Sequence, residues 1–276
     1  MHRTLVSTED LEPYLDEWRV FDCRHDLLKP EWGEEQFRQS HIPGAVFAHM
    51  ERDLSAPKTG RNGRHPLPDP DVFAAWLGKQ GLKPEEQVVC YDASNGVMAS
   101  RLWWMLRWIG HEAVAVLDGG FAKWTREGRV VSAETMTFAE TVHPVNLNED
   151  AAVGVRTIHR RMGELLLVDA RTPVRYRGEQ EPIDPVAGRI PGALNRSSGD
   201  NVLPDGQFKD PDTLRKEFQA ALQGRNVGNA IHYCGSGVSA CHNLLAAEHA
   251  GLPGGKLYAG SWSEWSSDPS RPQAKG

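Results

Sequence analysis

Short apolar runs alternate with longer stretches of helical period along most of the chain. Residues 86–91, 114–117, 165–168 and 230–233 read as buried strands, being mostly apolar and too short for helices. Residues 97–109 and 238–250 carry apolar side chains at helical spacing, and each follows a strand after a turn rich in Gly or Ser. Strand followed by helix, repeated, predicts an α/β fold in which mostly parallel sheets are flanked by helices. Trp103, Trp104 and Trp108 fall within one helical stretch, where core packing explains them better than a binding stripe does.

The two halves of the chain repeat one another. Val20-Phe21-Asp22-Cys23-Arg24 matches Leu167-Val168-Asp169-Ala170-Arg171 at an offset of 147, and Ile42-Pro43-Gly44-Ala45 matches Ile190-Pro191-Gly192-Ala193 at 148. Tyr91-Asp92 matches Tyr233-Cys234 at 142, and the segment from Asp118 to Trp124 matches that from Ala259 to Trp265 at 141. Preserved order with a slowly drifting offset is the mark of a duplicated domain, and the period is too long for a solenoid. The pattern predicts domains at 1–135 and 153–276, joined by a linker at 136–152 where Thr, Glu, Asn and Pro dominate. The polar tail 266–276, with two prolines, is expected to be loose.

Composition fits this picture and removes several classes of function. A length of 276 residues suits two domains of ordinary size, and a mean hydropathy of -0.50 is that of a soluble globular chain. No apolar run approaches the roughly 20 residues that cross a bilayer, and the N-terminus lacks an apolar signal core. Lys and Arg number 31 against 37 Asp and Glu, a net charge of -6. General attraction to nucleic acid or an anionic membrane is therefore not expected, whereas a small anionic substrate depends only on local charge. The four cysteines, Cys23, Cys90, Cys234 and Cys241, form no C-x-x-C pair, so reduced thiols and a cytoplasmic location are the expectation.

One loop carries the candidate chemistry. Tyr233-Cys234-Gly235-Ser236-Gly237-Val238-Ser239 places a cysteine at a strand end, before two glycines and a helix. Such a turn can aim several backbone N–H groups inward, and the helix N-terminus adds partial positive charge. A cysteine so placed has its pKa drawn down from about 8.5, which makes a nucleophile without a histidine base. The same cradle of Gly235, Gly237 and Val238 would hold a persulfide anion. Ser239 either donates a hydrogen bond to the sulfur or caps the helix. The bland alternative for Cys234 is a small buried hydrophobe, which is how Cys23, Cys90 and Cys241 read. In the first half Asp92 stands in the nucleophile's place, so that half does no cysteine chemistry. Trp262 and Trp265 correspond to Phe121 and Trp124 in the repeat and read mainly as core, with Trp262 also a candidate pocket wall.

The duplicated Asp-x-Arg, the Ile-Pro-Gly-Ala turns, the cysteine loop and Gly260-Ser261-Trp262-Ser263-Glu264-Trp265 resemble the tandem rhodanese sulfurtransferases from about Val20 to Trp265. The resemblance implies two rhodanese-like domains, the first inactive, with a site in the cleft between them. It implies that Cys234 cycles between thiolate and persulfide, taking sulfane sulfur from thiosulfate or 3-mercaptopyruvate and passing it to a thiol or cyanide. No metal or organic cofactor is implied, and a monomer or weak dimer is expected.

The Gly-Ser pair after Cys234 resembles the mercaptopyruvate branch. That branch carries two arginines for the donor; Arg175 supplies one, but Ile183 stands where the second belongs, leaving Arg177 or Arg189 as substitutes. A planar guanidinium at Arg175 can grip a carboxylate in bidentate fashion, although an ion pair with Glu179 or Glu181 would also explain it. The resemblance further assigns proton handling to Ser236, His65 and Glu51.

Three other classes match parts of this pattern. A cysteine phosphatase needs an arginine six residues after its cysteine, where this chain has Ala240. A metal site at Cys241, His242 and His249 lacks zinc-ligand spacing. A non-catalytic sulfur carrier or regulatory binding module is the alternative that the first half illustrates.

Overall fold

A computed structural model describes residues 1–276. The chain forms two compact units: Met1–Ala56 with Pro68–Asn148 and Val202–Phe208, and Pro57–Leu67 with Glu149–Asn201 and Lys209–Gly276.

The first unit holds β1 (Leu5–Val6), β2 (Arg19–Asp22), β3 (Val46–Phe47), β4 (Val88–Tyr91) and β5 (Val114–Leu117), in the order β1-β5-β4-β2-β3. The second holds β6 (Leu167–Asp169), β7 (Leu194–Asn195), β8 (Ile231–Tyr233) and β9 (Lys256–Leu257), in the order β7-β6-β8-β9. Every pairing in both sheets is parallel. β6 to β9 thus repeat β2 to β5, and a lone parallel bridge between Ala152 and Leu257 stands where β1 would be. β4 and β5 are buried at every position, as expected for central parallel strands covered on both faces.

The repeated landmarks build one brace in each unit. Arg24 Nη2 and Nε reach Asp22 Oδ2 at 2.6 and 2.9 Å, and Tyr91 Oη donates to the same oxygen at 2.7 Å while accepting the Ile42 N–H at 3.2 Å. In the second unit Arg171 Nη2 meets Asp169 Oδ2 at 2.6 Å, and Tyr233 Oη accepts the Ile190 N–H at 3.2 Å. Buried charges persist only when paired and hydrogen-bonded, so the Asp-x-Arg motif, the Ile-Pro-Gly turn and the strand tyrosine come as a set.

Two segments cross the continuous boundary expected from the sequence. Residues 57–67 belong to the second unit, where Gly63 at φ +87° lies so close to Gly260 that a Cβ would come within 2.7 Å of its carbonyl oxygen. The Arg64 N–H then donates to Ser263 Oγ at 3.1 Å. Residues 202–208 belong to the first, tied by the Phe208 N–H to Asp118 Oδ1 at 2.8 Å. Most of the expected linker lies along the first unit, with Thr141, Asn146 and Asn148 donating to carbonyls of Gly78, Ile109 and Trp108. The tail is not loose. Ala274 exchanges two hydrogen bonds with Arg189, and Trp265 Nε1 donates to the Pro272 carbonyl at 2.8 Å. Backbone pairing holds this polar segment, which hydropathy does not report. The three tryptophans of the helix Ala99–Trp108 are buried, as their spacing predicts.

Candidate active site

β8 ends at Tyr233, and the helix Val238–His249 begins four residues after Cys234. Gly237 makes the turn possible: its φ is +85°, and a Cβ there would lie 2.5 Å from the Ala259 carbonyl oxygen. Its N–H donates to Cys234 Sγ at 3.1 Å, at the positive end of a twelve-residue helix. Cys234 is 3% exposed. Its own N–H donates to Ser261 Oγ at 3.0 Å, while the Trp262 and Ser263 N–H groups donate to the carbonyls of Cys234 and Gly235, both at 3.0 Å.

Ser261 occupies the left-handed region at φ 54°, where its counterpart in the first half is Gly120 at φ 55°. A strained serine of this kind costs on the order of 1 kcal/mol and is retained where its side chain has work to do. Here its hydroxyl closes off the Cys234 N–H, so the cysteine backbone is fixed at both ends.

Two guanidinium groups flank this loop. A Cβ on Gly235 would lie 2.6 Å from Arg64 Nη2 and 3.4 Å from Arg175 Nη2, so both guanidinium groups lie close over this residue. Arg175 Nη2 also holds Glu181 Oε1 at 2.6 Å and Asp184 Oδ2 at 3.3 Å, and Arg64 Nη1 pairs with Asp184 Oδ1. Glu181 bridges to Arg171 at 3.1 Å. Burial works to raise the Glu181 pKa, but the hydrogen bonds from Arg175 and nearby backbone carry it below its ordinary value. Asp184 goes the other way: burial raises it, with Arg64 and Arg175 opposing.

His65 Nδ1 lies 2.9 Å from Ser236 Oγ, and both residues are buried. The expected pair of histidine and serine is therefore formed, within one unit. Glu51 belongs to the first unit, where its N–H donates to His49 Nδ1 at 3.2 Å.

Several expectations are corrected. Ser239 is already the second residue of the helix and Gly237 is its N-cap, so the serine hydroxyl neither caps the helix nor supplies the sulfur's hydrogen bond, which comes from Gly237. Trp262 is 0% exposed, with Nε1 donating to the Val186 carbonyl at 2.7 Å and Arg171 packed 5.1 Å from its ring. It is core and leaves no face for a substrate. Arg177 pairs with Glu179 on the surface, and Arg189 lies 4.4 Å over the Tyr176 ring; the second guanidinium at the loop is Arg64. No sequence pattern singles out Arg64 or Asp184. Arg64 directly precedes His65, but nothing local shows that residues 57–67 fold onto the second unit.

The first half's loop shows what this turn does with an anion. Asp92 Oδ1 accepts the N–H groups of Ser94 and Gly96, both at 3.0 Å, and Oδ2 accepts those of Met98 and Ala99 at 2.8 and 3.3 Å. Four backbone donors thus converge on one carboxylate, which is the cradle predicted for this turn. Cys23 and Cys90 are buried in the same unit, and burial pushes the Cys23 thiol well up. Cys241 is buried too, its Sγ 3.2 Å from the Gly237 carbonyl oxygen.

A family model described as a rhodanese-like domain matches residues 7–127 and again 156–268. A probable 3-mercaptopyruvate sulfurtransferase of Pseudomonas aeruginosa is 46% identical, covering 99% of this chain and 98% of that protein. A putative thiosulfate sulfurtransferase of Mycobacterium tuberculosis is 38% identical over 93% of this chain and 90% of that one. Among solved structures, a 3-mercaptopyruvate sulfotransferase of Escherichia coli is 31% identical, with a TM-score of 0.82, covering 95% of this chain and 99% of that one. No helix is long and apolar enough to cross a membrane. Duplicated braces, a carboxylate-filled loop in one half and a cysteine-bearing loop in the other accord with these matches: the chain belongs to the rhodanese family and carries two of its domains.

Proposed function

We propose that this chain is a sulfurtransferase that moves a sulfane sulfur from 3-mercaptopyruvate or thiosulfate to a thiol or cyanide through a persulfide on Cys234. The observation that carries the reading is Cys234 Sγ at a strand end, 3.1 Å from the Gly237 N–H, on a loop flanked by Arg64 and Arg175.

The Cys234 thiolate attacks the sulfane sulfur of thiosulfate or the thiol sulfur of 3-mercaptopyruvate. An S–S bond forms, and the bond joining that sulfur to the rest of the donor breaks. Its electron pair leaves with the enolate of pyruvate or with sulfite. The enolate takes up a proton to become pyruvate, and His65 with Ser236, 2.9 Å apart, relays it and the proton of the donor thiol. Loop N–H groups and the helix N-terminus then hold the persulfide anion. A thiolate or cyanide attacks the outer sulfur, the S–S bond breaks, and the Cys234 thiolate returns. Arg175 orients the donor through its carboxylate or sulfonate-like oxygens.

The test is thiocyanate formation from each donor, for wild type and Cys234→Ser. Activity with at least one donor, abolished by the substitution, is expected. A folded wild-type protein that transfers sulfur from neither donor would overturn the reading in favour of a non-catalytic binding module.

A further inference from the structure

We infer that Arg64 is the second donor-anchoring guanidinium, taking the part left vacant at Ile183, and that Asp184 holds it beside Arg175 over the residue that follows Cys234. The inference rests on the sulfur-transfer reading and names the class of donor it suits, a small α-keto carboxylate bearing a thiol.

Three observations carry it. First, the two guanidinium groups converge on Gly235, at 2.6 and 3.4 Å from the point where a Cβ would stand, so both lie against the backbone next to the nucleophile. Second, Asp184 is a shared partner, accepting from Arg64 on one oxygen and from Arg175 on the other, with its side chain only 2% exposed. A buried carboxylate between two arginines fixes their spacing and marks where anionic oxygens are stabilised. Third, the Arg64 side chain is 25% exposed and lines, with Asp184, a cavity of about 360 Å³, so part of its fork faces open space.

The chemistry fits two forks. An α-keto carboxylate presents carboxylate oxygens and a keto oxygen in one plane, and two planar guanidinium groups can engage both ends. Ile183 is 40% exposed and brings no charge. Arg64 therefore supplies from the segment before His65 what position 183 does not.

The experiment compares wild type, Arg64→Gln, Arg64→Lys and the exposed control Arg61→Gln. Steady-state transfer from 3-mercaptopyruvate gives KM and kcat, and Cys234 alkylation by anionic iodoacetate against neutral iodoacetamide gives a charge-selectivity ratio. For Arg64→Gln a KM at least about tenfold higher is expected, the weight of one charge-assisted hydrogen bond, with a ratio at least about fivefold lower. Arg64→Lys, which keeps charge without the fork, should recover most of the ratio and little of the KM. An unchanged KM, an unchanged ratio, or equal effects from Arg61→Gln would each overturn the inference. If wild type alkylates but transfers no sulfur, the sulfur-transfer reading fails and donor anchoring with it, while the ratio still reports whether Arg64 draws anions to Cys234.

Discussion

Replacing Gly237 by alanine strikes the turn on which the cysteine loop depends. The backbone there has φ +85°, where an L side chain is disfavoured by about 1–2 kcal/mol. The new Cβ would also lie 2.5, 3.0 and 3.1 Å from the Ala259 O, Cα and C atoms. That neighbour is backbone, and the turn it enters is tied to the loop through Ser261, Trp262 and Ser263, so it has little room to withdraw. Overpacking of this kind adds about 1–3 kcal/mol. Together they predict about 2–5 kcal/mol of destabilisation, or a melting temperature lowered by on the order of 10 °C.

Gly224→Ala separates the two contributions. Gly224 shares the left-handed backbone, at φ +72°, but nothing lies within 4 Å of its Cβ position, so only the conformational part applies. Function supplies a second readout, because displacement of the Gly237 N–H removes a hydrogen bond to the sulfur. A hydrogen bond to a charged group is worth about 1.5–3 kcal/mol, so iodoacetamide alkylation near neutral pH should slow by about tenfold or more. Thermal unfolding by circular dichroism and timed alkylation measure both. A Gly237→Ala protein that melts with Gly224→Ala and alkylates at the wild-type rate would refute this account of the loop.

Three further outcomes follow from the geometry. Ser236→Ala or His65→Gln should slow transfer from 3-mercaptopyruvate about a hundredfold, with transfer from thiosulfate less affected because sulfite leaves without needing a proton; parallel donor assays check this. His232, on β8, has both ring nitrogens buried without partners, and burial holds its pKa down to about 3. Below pH 6.5 the unfolded chain binds a proton that the folded one refuses, so stability declines from about pH 6.5 toward 3, by about 2 kcal/mol at pH 5. Urea unfolding of His232→Leu should show a smaller difference between pH 7.5 and pH 5 than wild type does. Asp92→Asn should destabilise the first unit by about 2 kcal/mol in the same assay at neutral pH, since an amide nitrogen replaces one acceptor oxygen facing backbone N–H groups.

Much of the fold was legible because duplication writes each landmark twice. Asp-x-Arg, Ile-Pro-Gly and the strand tyrosine are hydrogen-bonded together in both units, and the strands and helices around Cys234 fall within two or three residues of their predicted bounds. Cys234 was also visible, since it sits in a local pattern of known chemistry, whereas Arg175 and the Ser236–His65 pair were reached only through the family resemblance. What escaped depended on distant contacts. Arg64 reaches the loop only because Gly63 docks on Gly260, and Asp184 matters only because two arginines meet on it. Trp262 and Ser239 were misjudged for a related reason: side-chain direction and the exact helix start are set by packing, and sequence spacing leaves them free by a residue or so.

The first half's loop is one residue longer than the second between the strand end and the left-handed glycine, and its charge is part of the chain. A tethered carboxylate cannot be exchanged, oxidised or handed on, so the first cradle behaves as a copy permanently loaded with its own cargo. On the persulfide route proposed for Cys234, two cradles therefore give one transferable equivalent per polypeptide, and labelling with a sulfur isotope should saturate at one atom per chain.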